Sequence, residues 1–435
     1  MQTRQLFLTA LIAGLLSLLL FVASAVAAYD YPVENPYEAT VIGTPLDHRY
    51  QWEVPRDVRP RILTLNFGKD LSWIPLAQTI GIADLNLYFA RQDGPAPLIF
   101  VIAGTGAAYD SPKTVFLMDT FYQAGYHVIT ISSPTKPPFI AAASTNNLPG
   151  VTQQDAEDLY RVMQKALETI TGDTEITAVD LTGYSLGGLD AAFVGNLDRQ
   201  RRKINFRKVL MINPPVNPYT SMSILDSIIP NYRRAHPDVT GEKVFDFIFN
   251  RLAGYFKDTG GVTFGPETVY DIQKSDQALP IRDIKLLVGI SFLFSSADFA
   301  FTADALNHTG WIIPAQEFYS PLSGDLNYWY KRSLHWNFLT YFDRMIVPWW
   351  QVQHPGDTRE DIIHKTSLYA IEEYLRDDDS VGVMHNRDDI TLAPGDIEYL
   401  EAVMGERAVI YPHGGHCGNL EYRDNVAAML DFFAK

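Results

Sequence analysis

Residues Ile176-Thr-Ala-Val-Asp-Leu-Thr182 run straight into Gly183-Tyr184-Ser185-Leu186-Gly187-Gly188. The apolar positions Ile176, Val179 and Leu181 read as a strand, whereas Leu186, Leu189, Phe193 and Leu197 recur at near-helical spacing. Between them lies the pattern G-x-S-x-G. Glycines at 183 and 187 carry no Cβ, so strand and helix can close on each other and leave Ser185 projecting from a strained turn. A serine hydroxyl is a poor nucleophile unless it is exposed, oriented and served by a base. Such a turn supplies the first two conditions; the third must come from elsewhere in the chain.

On the amino-terminal side, Ala83–Ala90 alternates as a half-buried strand, and Leu98-Ile-Phe-Val-Ile-Ala103 is a continuous apolar strand ending in Gly104-Thr105-Gly106. A helix is expected over Lys113–Ala124, a strand over Tyr126–Ile131, a long amphipathic helix over Gln153–Ile170, and a strand over Lys208–Ile212. Strands alternating with helices of this length predict an α/β fold, a mostly parallel sheet covered on both faces. The rhythm stops at Asn213-Pro-Pro-Val-Asn-Pro218 and resumes with Val381–Met384, a helix near Pro394–Val403, the strand Ala408–Tyr411 and a last helix over Asn419–Phe433. The core is therefore expected in two parts, 61–215 and 380–435, with 216–379 a large, mainly helical cap or lid. An insertion leaving the carboxyl end of a strand sits over the crevice where open α/β sheets bind ligands. It holds five of the seven tryptophans, Trp311, Trp329, Trp336, Trp349 and Trp350. Most of its aromatics are expected to form the cap's own core, with some free to line an apolar acyl pocket.

A chain of 435 residues, 47% hydrophobic, can bury a large core. Its net charge of −16 argues against nucleic acid or an anionic membrane surface as a partner. The single cysteine, Cys417, excludes an intrachain disulfide and a Cys-rich metal cluster. Arg4 is the one charged side chain in 1–28; the apolar run Leu6–Val22 and the small residues Ala23–Ala28 read as a signal peptide or, if uncleaved, a membrane anchor. The expected location is exported, periplasmic or secreted, with membrane contact only through that segment. Residues 29–60, rich in Pro and Tyr, are expected to wrap the domain as extended chain.

One of ten histidines lies in a context built for close approach: His413-Gly414-Gly415-His416-Cys417-Gly418, just after the last predicted strand. His416 is the candidate base and His413 its competitor; His127 and His236 read as structural. The acid that orients an imidazole should leave the end of the preceding strand, where Asp388 and Asp389 stand side by side. Either can serve, but not both. Asp377-Asp378-Asp379 reads as a solvated turn, and Asp190 as a helix residue outside the set. Charge developing on a carbonyl oxygen needs preorganised backbone donors. The amide of Leu186, at a helix N-terminus, is one candidate; the amide of Thr105 is the other, with Gly106 as alternative. No phosphate-cradling or dinucleotide-binding continuation follows the Gly104-Thr105-Gly106 loop.

The chain order Ser185, acid, His416 on an alternating sheet resembles the α/β-hydrolase superfamily, over 80–215 and 380–435. More narrowly, the paired acids and the H-G-G-H-x-G ending are similar to the YheT-type abhydrolase-domain ester hydrolases. Their acid motif reads D-D-P with the second Asp catalytic, which corresponds to Asp389, and their GGH histidine corresponds to His416. This chain has Ile390 where that group has Pro, Ala103-Gly104-Thr105 where many members have His-Gly, and a much longer cap. The resemblance implies the α/β-hydrolase fold and a serine hydrolase of the carboxylesterase or lipase type, and the signal-like segment adds export to that expectation. Ser185 would attack a small or lipid-like ester, with no metal or organic cofactor. An acyltransferase, thioesterase or peptidase would use the same three residues. A non-catalytic binding protein on this scaffold is the reading from another class.

Overall fold

Strands buried along their length need both faces of a sheet covered, and residues 98–102, 127–131, 209–212 and 381–386 are all buried. The computed structural model describes residues 29–69, 84–237, 273–274, 278–315 and 325–435. In chain order its first elements are helix α1 (Pro36–Ile42), strands β1 (Arg61–Asn66), β2 (Asp84–Ala90) and β3 (Ala96–Ile102), and helix α2 (Pro112–Gln123). Strand β4 (His127–Ile131), helices α3 (Pro137–Ala142) and α4 (Thr152–Ile170), strand β5 (Ile176–Tyr184), helix α5 (Leu186–Arg201) and strand β6 (Val209–Ile212) complete the first part of the core. The described cap helices are α6 (Pro218–Ala235), α7 (Ile281–Asn307), α8 (Asp325–Ser333), α9 (Phe338–Tyr341), α10 (Val347–Gln353) and α11 (Arg359–Lys365). Helix α12 (Glu372–Asp377), strand β7 (Val381–Asn386), helix α13 (Asp396–Met404), strand β8 (Ala408–Tyr411) and helix α14 (Arg423–Ala434) follow.

The eight strands form one sheet in the order β1-β2-β4-β3-β5-β6-β7-β8. Strand β2 runs antiparallel to both neighbours and every other pairing is parallel. This is the α/β-hydrolase fold. Strand β3 shows how the two faces are filled. Leu98, Phe100 and Ile102 join the cluster containing Leu159 and Met163 of α4, Leu189 of α5 and Leu400 of α13. Ile99 and Val101 point the other way, toward Leu117 and Phe121 of α2 and Val426 and Phe433 of α14. Each side chain buried this completely contributes roughly 1.5–3 kcal/mol. The sequence reading does not anticipate β1, because only Leu63 and Leu65 of its six residues are buried at the sheet edge.

Two expectations change. The cap was expected to end at 379, but the chain leaves at Val216 and is back by Leu368, whose N–H donates to the Val216 carbonyl at 2.9 Å. Leu368, Ile371, Tyr374 and Leu375 then pack in the main core rather than in the cap. The 29–60 segment, expected to be extended, contains α1. Asn35 caps it by accepting from the Tyr37 and Glu38 N–H groups, Pro36 is its first residue, and Gly43 ends it at φ 75°. Seven residues are too few for hydrophobic periodicity to announce a helix, although its capping residues are visible in the sequence.

The cap builds its own core from Phe299, Trp329, Phe338, Tyr341, Phe342 and Trp350. Among the described residues, α7 is the one helix long and apolar enough to cross a membrane. More than half of its most apolar stretch is buried inside the molecule, where it packs on α6, α3 and α1.

The elbow glycines generate a stability test. A Cβ on Gly187 would strike the Ile102 carbonyl and lie 2.6 Å from that of Ala103, while one on Gly172 meets nothing within 4 Å. Gly187→Ala is expected to lose about 1–3 kcal/mol in urea unfolding through overpacking. Gly172→Ala should stay within about 0.5 kcal/mol of wild type. Equal midpoints for the two variants would contradict this account of the elbow.

Candidate active site

Strand β5 ends at Tyr184 and α5 begins at Leu186, leaving Ser185 alone at the turn with φ 56° and ψ −128°. A side chain held there stores roughly 1–3 kcal/mol of backbone strain. The surroundings enforce it. The Ser185 N–H donates to the Ile212 carbonyl at 2.8 Å, and the Gly188 N–H donates back to the Ser185 carbonyl at 2.9 Å. A Cβ on Gly183 would collide with the Gly187 carbonyl. One on Gly104 would lie 2.9 Å from the Tyr184 ring and 3.0 Å from the Ser185 Cβ, so the loop after β3 also presses on the turn.

The loop after β8 brings His416 to this serine. Its Nε2 lies 2.8 Å from Ser185 Oγ, and its Nδ1 lies 2.8 Å from Asp389 Oδ2 and 3.1 Å from Oδ1. A carboxylate only accepts, so the network assigns the proton to Nδ1 and leaves the Nε2 lone pair facing the hydroxyl. Asp389 is buried and fully engaged: Thr391 donates to Oδ1 from its N–H at 2.9 Å and its Oγ1 at 2.8 Å, and Asn213 Nδ2 donates to Oδ2 at 3.1 Å. Burial alone would raise its pKa, but its contacts with His416, then His385 and the Thr391 amide, bring it down to about 2.

The neighbouring Asp388 has a different task. Its Oδ1 accepts the Gly415 N–H at 2.9 Å, tying down the histidine loop, and partial burial raises its pKa. His413 is turned away, with Nε2 at 2.9 Å from the Tyr31 carbonyl and its ring against Tyr29. His127 is buried and accepts the Gln92 N–H at 3.0 Å. His236 meets the Tyr232 carbonyl at 3.0 Å. The Cys417 thiol is buried, which pushes its pKa up to about 12. Asp190 is buried within α5, outside the cluster.

Thr105 and Leu186 line the same cavity as Ser185 and His416. Among the described residues neither amide donates to another protein group, whereas the Gly106 N–H is taken by Thr135 Oγ1 at 2.7 Å. Gly106 is thereby withdrawn as a donor. The Leu186 N–H stands at the N-terminus of the 16-residue α5, where the helix dipole favours negative charge.

Four residues of this site were missed in the sequence. Asn213 leaves β6 at φ 46°, a conformation Asn tolerates better than most residues, and its position before Pro-Pro was the available signal. Thr391 and His385 flank the acid in sequence, yet nothing in their spacing says which side chain turns inward. Thr40 of α1 accepts the His416 N–H at 2.9 Å on an Oγ1 that itself donates to the Pro36 carbonyl at 2.6 Å. Helix α1 sits so tightly on the histidine loop that a Cβ on Gly415 would strike the Pro36 carbonyl and one on Gly418 the Ala39 carbonyl.

A cavity of about 560 Å³ opens over these groups, within the usual range for small-molecule sites. Its apolar wall is aliphatic, with Met222, Leu225, Leu279, Leu287 and Val288 beside Phe292. A narrower recess shares Thr105, Leu186 and Met222 with it and is closed by Tyr219, Phe299, Phe338 and Phe342. None of the five cap tryptophans lines either space. Among the described residues no three His, Cys, Asp or Glu side chains are grouped to hold a metal ion.

No family model matches the chain, and no curated protein sequence matches it. Among solved structures, a mutant of the esterase rPPE is 12% identical, covering 92% of this chain and 96% of its own, with a TM-score of 0.43. A membrane phospholipase A described as a bacterial virulence factor is 15% identical over 100% of this chain and 98% of its own, with a TM-score of 0.40. Est1E from Butyrivibrio proteoclasticus is 12% identical over 81% and 96%, with a TM-score of 0.36. Such distant likenesses say nothing of chemistry, which rests on the geometry of Ser185, His416 and Asp389.

Proposed function

We propose that this protein is a serine hydrolase that cleaves a carboxylic ester through an acyl-serine intermediate. One observation carries the reading: the His416 imidazole joins Ser185 Oγ, at 2.8 Å from Nε2, to Asp389 Oδ2, at 2.8 Å from Nδ1. Nε2 takes the hydroxyl proton as Oγ bonds to the ester carbonyl carbon. The negative charge that develops on the carbonyl oxygen meets the Leu186 and Thr105 amides. The carbon–oxygen bond to the alcohol then breaks, and His416 returns the proton to the departing oxygen. Water attacks the acyl-serine with His416 again as base; the acid leaves and Ser185 regains its proton. The aliphatic wall suits an apolar acyl or alkyl chain. The apolar run within 1–28 supports an exported location.

His385 lies behind this set, buried, with Nε2 at 2.9 Å from the Pro214 carbonyl and Nδ1 accepting the Asn386 N–H at 2.9 Å. Burial lowers its pKa below the ordinary 6.5, which keeps it neutral beside Asp389. A folded-state value below the unfolded one means that the neutral imidazole's contribution to stability is complete above 6.5 and lost as the pH falls below it. For Asp389 the same sign applies lower down, between 3.8 and about 2.

Three outcomes are expected. A fluorophosphonate probe should label the wild-type protein and not Ser185→Ala; labelling of the variant, or none of the wild type, defeats the hydrolase reading. Asp389→Asn should lower kcat/KM on a p-nitrophenyl ester by roughly 10⁴-fold through the wrong imidazole tautomer. Asp388→Asn should cost far less, and similar losses would mean that the two acids are misassigned. Finally, His385→Gln should show a smaller drop in Tm between pH 7 and pH 5 than wild type; parallel drops would remove His385 from the acid response.

A further inference from the structure

The cavity over Ser185 has one charged feature that the ester reading does not use. Lys113, in the first turn of α2, lines it beside Tyr184, Ser185 and Cys417. Among the described residues no carboxylate lines the cavity, and Lys113 is its one ammonium or guanidinium. The side chain is half-buried and makes no hydrogen bond or ion pair with another described residue. Its charge is close enough to act on the buried Cys417 thiol, the residue after His416. In a chain of net charge −16, with acidic side chains exceeding basic ones 51 to 35, an unpaired cation facing an apolar wall is the opposite of what average composition would place there. An ammonium without a counter-charge in a half-buried cavity attracts an anion that arrives with the ligand more strongly than it would in open water.

A second group in the same cavity also lacks a partner. Ser221 of α6 lines the cavity, is 3% exposed, and its hydroxyl finds no hydrogen-bond partner among the described residues. A purely hydrocarbon occupant would leave both Lys113 and Ser221 unsatisfied. An occupant with an apolar chain and an anionic group would satisfy the wall and the ammonium together.

We propose that Lys113 determines specificity by receiving a carboxylate or phosphate on the substrate, so that the protein acts on anionic amphiphilic esters rather than neutral ones. The inference rests on the hydrolase reading for the word ester, but binding alone can test it. The full chain carrying Ser185→Ala is titrated calorimetrically with octyl phosphate, octanoate and 1-octanol, which share one chain length and differ in the head group. At least one of the two anions is expected to bind about tenfold or more tightly than the alcohol, and the gap should shrink as salt is raised. Whichever anion is preferred names the group. Adding Lys113→Met should bring the anion to within about twofold of the alcohol, whereas Lys113→Arg should keep most of the preference. Equal affinity for all three ligands, no binding of either anion, or an equal loss of anion and alcohol in Lys113→Met would overturn the proposal. The comparison among ligands and the salt series need no change at Lys113, so a misfolded variant does not shield the idea. Fluorophosphonate labelling decides the hydrolase reading separately.

Discussion

Everything in the site depends on how closely two backbone segments approach at the end of β5. Gly187 lies against the carbonyls of Ile102 and Ala103, Gly183 against that of Gly187, and Gly104 against Tyr184 and Ser185. No side chain fits between them. The chain therefore turns through Ser185 at φ 56°, and that conformation pushes the hydroxyl out toward the loops from β7 and β8. The strain is local, while the parallel pairing of β3, β5 and β6 that holds it runs through the middle of the sheet. A turn supported by two buried neighbours keeps its geometry without help from a ligand.

The two adjacent aspartates show how one short loop divides its work. Asp389, buried among Thr391, Asn213 and His416, is held as an anion with its pKa near 2. Asp388 faces the other way and accepts the Gly415 amide, so the loop carrying the imidazole is fastened by the residue next to the one orienting it. Neither oxygen pair could do both jobs, because successive side chains leave the backbone in different directions. With Thr40 accepting the His416 N–H from the opposite side, the imidazole is gripped through its backbone as well as its ring.

Helix α1 connects parts far apart in sequence. It packs on the histidine loop through Pro36, Ala39 and Thr40 and on the cap through α7. Tyr31, Thr44 and Tyr29 extend the attachment: Tyr31 offers its carbonyl to His413, Thr44 donates to the Gly418 carbonyl, and Tyr29 accepts from Asn419. The segment after the amino-terminal apolar run thus forms one wall of the cavity while bracing its imidazole. Cap and brace together make a chamber whose apolar wall is largely aliphatic and whose one ammonium among the described residues is Lys113.

The elbow, the alternating strands and the ordering of serine, acid and histidine were legible because each rests on short-range rules. Apolar runs bounded by turns mark buried strands, and glycines mark backbone contacts that exclude a Cβ. The choice between Asp388 and Asp389 was not legible from spacing, since both leave the same strand end; the resemblance pointed to Asp389, and the observed contacts separate their tasks. Thr40, Asn213 and His385 were invisible for a related reason: their roles come from partners 376, 176 and 171 positions away. Edge strand β1 escaped because only Leu63 and Leu65 of its six residues are buried at the sheet margin, too little apolar signal to mark a strand. The sequence by itself determined seven of the eight strands, the strained serine and the loop carrying His416, all written in local pattern. Only the tertiary structure decided which acid turns inward, what braces the histidine and which charge faces the cavity, because those depend on directions that side chains take once distant segments meet.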